Sequence, residues 1–584
     1  MILLKNGRVF DGSKNASFIG SVLIKDGKVQ KIIEENQSMP SLPGDVEVID
    51  ATGHWITPGF IDGHTHYDFE LLVNPALTES VRHGVTTVFT GSCSISAIMA
   101  EPEDCSDIFT RVEGVSREQV LPVLREKKTW TRPKEYVNFL QEQPLGPNVC
   151  AYIGHSDIRM AAMGIEKSVD ENSVPTEKEK TFMKQALEEA LDVGFLGLSS
   201  MQSDADRLDG DRVRSKALPS VYASYKEYSY LNKVLRRRGR ILQTAPDVRK
   251  KYVSMSNLVL EAMGIFRKTL KITSLVMIDA KSSRKADLRK QQLFFSKVVK
   301  LLFGDFRWQM LPCEFQAQVE GMNFVIFEEV PAGAAYLHLS ENADRDRLVE
   351  DPAFREKFMK NMTEKFHVAL WDRDIGDGRV HKCPDESLIG LSFSEIAKLK
   401  NRHVADVFID LLVDYGNDLV WKVVIGNERD EELSVLLEDR QSANIAAFSD
   451  AGAHIQNLAF YNFGLQMLAR IKRMRASGLK TITDEHAIHR LTGELGDWHN
   501  VDAGYLREGK RADINVINPQ RLESSLDSVE RASFDGLVDY TRLVNRNDGI
   551  VKHVLINGKI AVSDDRYSEE LGKTNGYGSF LRAS

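Results

Sequence analysis

Short apolar runs alternate with longer amphipathic stretches along most of the chain, and the two periods predict different elements. The N-terminal part reads as short strands divided by turns: ILLKNGRVF, then SVLIKDGKVQKI with Asp26-Gly27 as a hairpin signal, then VEVIDATG. Near the other end, ADINVINP and VKHVLINGKIAV have the same character, with Asn557-Gly558 marking a tight turn. Each segment is too small to be stable by itself. Pairing of the two is therefore predicted, giving one small β-sandwich domain from residues 1–57 and 501–584.

Between them lie WITPGFID, GVTTVFTG, NVCAYIGH, GFLGLSS, GRILQT, ITSLVMID, WKVVIGNE and ANIAAFSD, each ending in polar residues. Helix-length segments such as EKTFMKQALEEALDV and YLNKVLRRR separate them, so an α/β fold with a parallel sheet is predicted. Eight such runs predict closure into a (β/α)8 TIM-type barrel over residues 58–500, with the polar residues at the C-terminal mouth where that fold places its chemistry. One connection is irregular. From Asp279 to Val420 roughly 140 residues intervene, far beyond a βα loop, and an insertion at about 285–415 is predicted that covers the mouth as a lid.

Composition narrows the class. A chain of 584 residues with 42% hydrophobic and 27% charged side chains excludes a wholly disordered, collagenous or disulfide-scaffold protein. The net charge of -8 argues against a nucleic-acid partner, since phosphate binding shows a basic surplus, and Arg236-Arg237-Arg238 reads as a solvated helix end. Five scattered cysteines make no paired framework, which predicts a reducing compartment. The first residues carry no basic segment leading into an apolar run, and no long apolar stretch follows, so the expectation is a cytoplasmic protein with no membrane partner, acting on a small molecule, with a homo-oligomer left open.

The chemistry concentrates in three places. In Pro58-Gly59-Phe60-Ile61-Asp62-Gly63-His64-Thr65-His66, side chains at i and i+2 of an extended chain point to one side, so His64 and His66 aim two imidazoles at one point, which suits a zinc-like ion. Cys93, after the second run, is either a thiolate ligand or a small core residue. Asp450, in Ser449-Asp450-Ala451-Gly452-Ala453-His454, is either a metal-binding and proton-moving carboxylate or part of a helix N-cap.

The first of these strings, preceded by strands ending in Asp50-Ala51-Thr52-Gly53, resembles the signature of the amidohydrolase superfamily, and Gly91-Ser92-Cys93 resembles its N-acyl-D-amino-acid deacylase (D-aminoacylase) branch, where a cysteine stands in place of a bridging lysine. Gly154-His155-Ser156-Asp157-Ile158-Arg159, Gly197-Leu198-Ser199-Ser200, Leu491-Thr492-Gly493-Glu494 and Gly509-Lys510-Arg511-Ala512-Asp513 are similar to further elements of that family, and Asp351-Pro352-Ala353-Phe354-Arg355 to a longer form with an inserted segment. The resemblance implies a barrel of the metal-dependent hydrolase type that deacylates N-acyl (D-)amino acids. It implies metal ligation by His64, His66, Cys93 and Asp450, with Asp450 also moving the proton. It further implies a hydrogen bond from His155 to the reacting carbonyl, with a packed loop histidine as the other reading, and a substrate carboxylate held by Lys281, with a solvated loop lysine as the other reading and with Arg284, one turn on, and Arg159 as further substrate-binding candidates. The chain departs from the family where histidines follow the fifth and sixth strands. Here those stretches read Leu242-Gln243-Thr244-Ala245-Pro246-Asp247 and Met277-Ile278-Asp279-Ala280-Lys281, leaving Gln243, Asp247 or Asp279 as oxygen donors and implying one zinc-like ion rather than two. The alternatives are a cyclic-amide hydrolase of the hydantoinase or dihydropyrimidinase kind, which the absence of a bridging lysine disfavours, and a non-catalytic scaffold member of the fold.

Overall fold

The computed structural model describes residues 1–204, 206–247, 250–281, 288–339, 341–363, 374–522 and 526–584. At its centre eight parallel strands form one curled sheet: β1 Phe60–Asp62, β2 Val85–Thr90, β3 Asn148–Gly154, β4 Gly197–Met201, β5 Ile241–Ala245, β6 Lys271–Met277, β7 Asp305–Met310 and β8 Asn444–Ile445, each beside the next. Every residue of β2 and β3 is buried, as expected where helices cover one face of a parallel sheet and side chains fill the other. Beyond β1 and β8 the two edges meet in a parallel bridge at Thr65 and Ala451: the Asp450 amide donates to the His64 carbonyl (3.1 Å) and the His66 amide to the Ala451 carbonyl (2.8 Å). This join carries the first and last candidate site residues to one point.

The helices between strands follow local rules. Glu177–Asp192 opens on a reciprocal capping box of Thr176 and Glu179, and Tyr225–Arg238 stops at Gly239, whose φ of 66° is cheap without a Cβ.

Strands from both chain ends make a second, nine-stranded sheet. Trp55–Pro58 lies inside it, parallel to Ile2–Val9 and antiparallel to Ile514–Ile517. The terminal segments thus pair as expected, but edge to edge in one continuous sheet around a small core that includes Leu4, Val22, Ile56, Ile514 and Leu555; the hydrogen bonding does not divide them into the two layers of a sandwich. Gly59 is the passage between the sheets, where a Cβ would lie 2.0 Å from Thr86 Oγ1.

The seventh strand differs from the sequence expectation. WKVVIGNE lies outside the parallel sheet: Val420–Gly426 is the middle strand of a three-stranded antiparallel sheet with Phe315–Glu320 and Arg379–Lys382. Its place beside β6 is taken by β7, DFRWQM, whose Asp305 and Arg307 disguise a strand. Asp305 accepts from Trp498 Nε1 (3.2 Å) and Arg307 donates to Glu494 (3.3 Å), so these polar groups are used at the strand's starting end. The insertion consequently occupies residues 311–443, between β7 and β8. Phe327, Phe358, Phe393, Phe408 and Trp421 pack together inside it.

Candidate metal centre

His64, His66 and Cys93 bring ligand atoms within 4.8 Å of one another, and among the described residues they form the one such cluster of histidine, cysteine and carboxylate groups. All three are buried. Cys93 Sγ lies 3.4 Å from His64 Nε2, and Asp450 Oδ1 lies 3.7 Å from His64 Nε2 and 3.3 Å from His66 Nε2.

Backbone strain gathers here. Cys93 (φ 52°), Ser94 (φ 73°) and Asp450 (φ 61°) all sit in the left-handed region, which costs a non-glycine residue of order 1–3 kcal/mol unless its surroundings impose it. The surroundings do so for Cys93. Its amide donates to Gln243 Oε1 in β5 (3.0 Å), the Ser94 amide donates to Ser199 Oγ in β4 (3.0 Å), and the Gly91 amide donates to Asp68 Oδ2 (2.9 Å). Three buried side chains thereby hold the loop after β2 so that its thiol faces His64.

On the other side of His64, Nδ1 donates to Gln309 Oε1 in β7 (2.6 Å). A carbonyl oxygen can only accept, so the proton sits on Nδ1 and the Nε2 lone pair faces Cys93 and Asp450. An outer hydrogen bond of this kind is what fixes the tautomer of a metal-ligating histidine. Burial pushes His64 down to about 4, helped by the neighbouring His66, so the ring is neutral near pH 7. Burial works to raise Asp450, but the hydrogen bond and charge of His66, with His454 and His64 behind them, prevail and hold it at about 2. Asp62 accepts from Ser449 Oγ (2.5 Å), and burial lifts it to about 8. A neutral, lone-pair-bearing imidazole, a second imidazole, a thiol and an ionised carboxylate form a donor set suited to a tetrahedral N/S/O ion.

Other candidates are employed elsewhere. Gln243 spends its oxygen on the Cys93 amide. Asp279 is held by the Arg429 guanidinium through both of its oxygens, and Asp247 Oδ1 accepts from the Lys250 amide (3.2 Å). His155, fully buried, uses Nδ1 on Ser200 Oγ (3.1 Å) and Nε2 on Glu227 (2.9 Å), and Arg159 pairs with the same Glu227. The structure thus gives His155 and Arg159 a common carboxylate partner. Lys281 bonds Asp377 (3.1 Å) and Glu428 (3.0 Å), so its charge is met within the protein; Arg284 lies outside the described residues.

Gln309 and Glu227 were not foreseen. Gln309 could have been found only by locating β7, and Glu227 has no motif around it. A cavity of about 740 Å³ is lined among others by Asp206, Arg207, Arg111, His454 and, from the insertion, Glu328 and Arg345, and by none of the four candidate metal donors. Asp206 and His454 in its wall bear electrostatically on Asp450.

No protein-family model matches the chain. An uncharacterized protein of Mycobacterium tuberculosis is 42% identical over 586 aligned residues, covering 100% of this chain and 94% of that protein. N-acyl-D-aspartate deacylase of Alcaligenes xylosoxydans xylosoxydans is 30% identical over 203 residues, 34% of this chain and 36% of the enzyme. The crystal structure of D-aminoacylase, described as defining a novel subset of amidohydrolases, superposes with a TM-score of 0.61 at 18% identity, covering 100% of this chain and 99% of that one, and so shares the fold. The chain is thus related over its whole length to the mycobacterial protein, over a third of it to N-acyl-D-aspartate deacylase, and in fold to D-aminoacylase, a set of likenesses that supports the D-aminoacylase-like branch of the amidohydrolases.

Proposed function

We propose that the protein is a metal-dependent amide hydrolase that converts N-acyl amino acids, of D configuration by preference, to a carboxylate and a free amino acid, using one zinc-like ion. The observation that carries this reading is the convergence of His64, His66 and Cys93 on one point with the ionised Asp450 against both imidazoles. His64, His66, Cys93 and Asp450 would hold the ion, which would supply Lewis-acid polarisation of the amide carbonyl and make a water more acidic. Among the residues considered for a second ion, Gln243 and Asp279 have their oxygens engaged within the protein, which supports one ion.

The chain's own groups account for the proton. Asp450, kept ionised, accepts it from the attacking water and returns it to the departing amine nitrogen. Gln309 keeps His64 in the tautomer that ligation needs, and the three-point support of the loop after β2 keeps the sulfur in place. The cavity that His454 and Asp206 help to line has room for an acylated amino acid.

Purified protein treated with chelator, then reloaded with zinc, should be tested on paired N-acetyl-D- and N-acetyl-L-amino acids. Zinc-dependent release of the free amino acid is expected, faster for the D series. Equal or zero release from all substrates by metal-replete protein would overturn the assignment.

A further inference from the structure

The ends of the helices that follow β5 and β6 carry a surface the proposed reaction does not use. The helix Lys251–Ala262 runs down to the turn before β6, and Leu288–Leu301 to the turn before β7, so both end at the face of the parallel sheet opposite its C-terminal mouth. The turns touch. The Gly264 amide donates to the Leu302 carbonyl (3.0 Å) and Thr269 Oγ1 to the Phe303 carbonyl (2.9 Å).

Around this contact several of the side chains that project into water are apolar. Phe266 is 105% exposed, Phe303 73%, Leu301 69% and Leu260 44%, with Phe294 (68%) two turns above Leu301 on the same helix face. Taking ~200 Å² for a phenylalanine side chain, the three rings alone offer roughly 500 Å², near the top of what the largest patch on a monomer usually reaches. Phe266 (φ 60°) and Phe303 (φ 57°) both hold left-handed turn positions that suit glycine or asparagine, not a bulky ring.

The polar residues among these rings have one sign. Arg267, Lys268, Lys297 and Lys300 are exposed, and no carboxylate among the described residues pairs with any of them; Arg267 and Lys300 donate only to the carbonyls of Met263 (3.1 Å) and Gln441 (3.2 Å). The neighbouring acids are occupied: Glu261 is buried against Arg236, and Asp305 binds Trp498 and lies beside Arg307. On a chain of net charge -8, this is a cationic collar around aromatic and leucine side chains.

We propose that this face docks on the surface of an anionic phospholipid bilayer, with Phe266, Phe303 and Leu301 entering the interface and Arg267, Lys268, Lys297 and Lys300 meeting the headgroups. Charge complementarity selects this occupant. A second copy meeting the patch symmetrically would set four cations against four, whereas an anionic bilayer accepts both the cations and the rings. The proposal departs from the sequence expectation of no membrane partner, which rests on the lack of a long apolar stretch; among the described residues no helix is long and apolar enough to cross a membrane, and lying on a surface requires none. The cavity lined by Asp206 and His454 then faces away from the bilayer.

Flotation of the full-length protein should be compared on vesicles of pure phosphatidylcholine and of phosphatidylcholine with 30% phosphatidylglycerol. We expect binding to the second and at least tenfold less to the first. Phe266→Ser with Phe303→Ser, and separately Arg267→Glu with Lys268→Glu, should each lower partitioning at least tenfold while circular dichroism and thermal unfolding stay like wild type. Equal binding to both vesicle types, or unchanged binding by both folded variants, would overturn the proposal. So would a wild-type dimer in sedimentation velocity that the double Phe variant dissolves, which would assign the patch to a second copy.

Discussion

The 2.6 Å hydrogen bond from His64 Nδ1 to Gln309 decides which nitrogen faces Cys93 and Asp450, so much of the centre's competence rests on a residue 245 positions away. Gln309→Leu removes the acceptor while keeping the bulk. Metal affinity should fall 10- to 100-fold with His64 and His66 in place, measured by competition with a chromophoric chelator; unchanged affinity would show that the tautomer is set otherwise. Asp450→Asn tests the carboxylate as a base. At matched metal content, turnover of any hydrolysed N-acyl amino acid should drop by ~100-fold or more, and near-normal turnover by the loaded variant would remove Asp450 from proton transfer. The residues that announced themselves in the sequence were those with scarce chemistry: two histidines in register, a cysteine after a strand, an aspartate at the last strand. Gln309 acts through an ordinary amide, which no motif distinguishes from surface glutamine, and Gln243, named as an oxygen donor for the metal, instead accepts from the Cys93 amide. His155 and Arg159 carried a family-like spacing, but their environment depends on Glu227, which enters from a separate helix.

At the level of elements, the order of strands was legible except at β7, and the reason is physical. WKVVIGNE is apolar and β-branched because it is the middle strand of a small antiparallel sheet, packed on both sides, whereas DFRWQM exposes charges at its starting end to partners that sequence does not bring near. The insertion therefore packs its own aromatic group, continuous with the core of the parallel sheet. Trp421 is fully buried there, its indole N–H donating to the Gly321 carbonyl (2.8 Å) and its rings against Phe393 and Phe408. Trp421→Ala should cost about 3–5 kcal/mol of insertion stability, read as earlier hydrogen exchange across 315–426. Exchange raised equally across β1 to β8 would mean that the insertion unfolds only with the parallel sheet.

For the molecule as a whole, buried neutral histidines set an acid limit. Burial pushes His499 down to about 3 where its ring lies against Phe89 and Trp498, while in an unfolded chain it titrates near 6.5. Because the folded value is depressed, the unfolded chain binds the extra proton between 6.5 and about 3; stability from this group is complete above 6.5 and is lost as pH falls through that window. His499→Phe should flatten the fall in urea-unfolding free energy between about pH 6 and 4 by up to about 1.4 kcal/mol per pH unit, and an unaltered slope would show that His499 is protonated in the fold. The acids that burial raises, Asp62 and Asp513 among them, act in the opposite sense, so the variant's slope relative to wild type is the informative quantity. The central claim is a single metal ion on His64, His66, Cys93 and Asp450, and elemental analysis of protein expressed with supplemented zinc tests it most directly. Close to one zinc per wild-type chain is expected, and essentially none in the His64→Ala, His66→Ala double variant; two ions per chain, none, or a full complement in the double variant would contradict a single site on these residues.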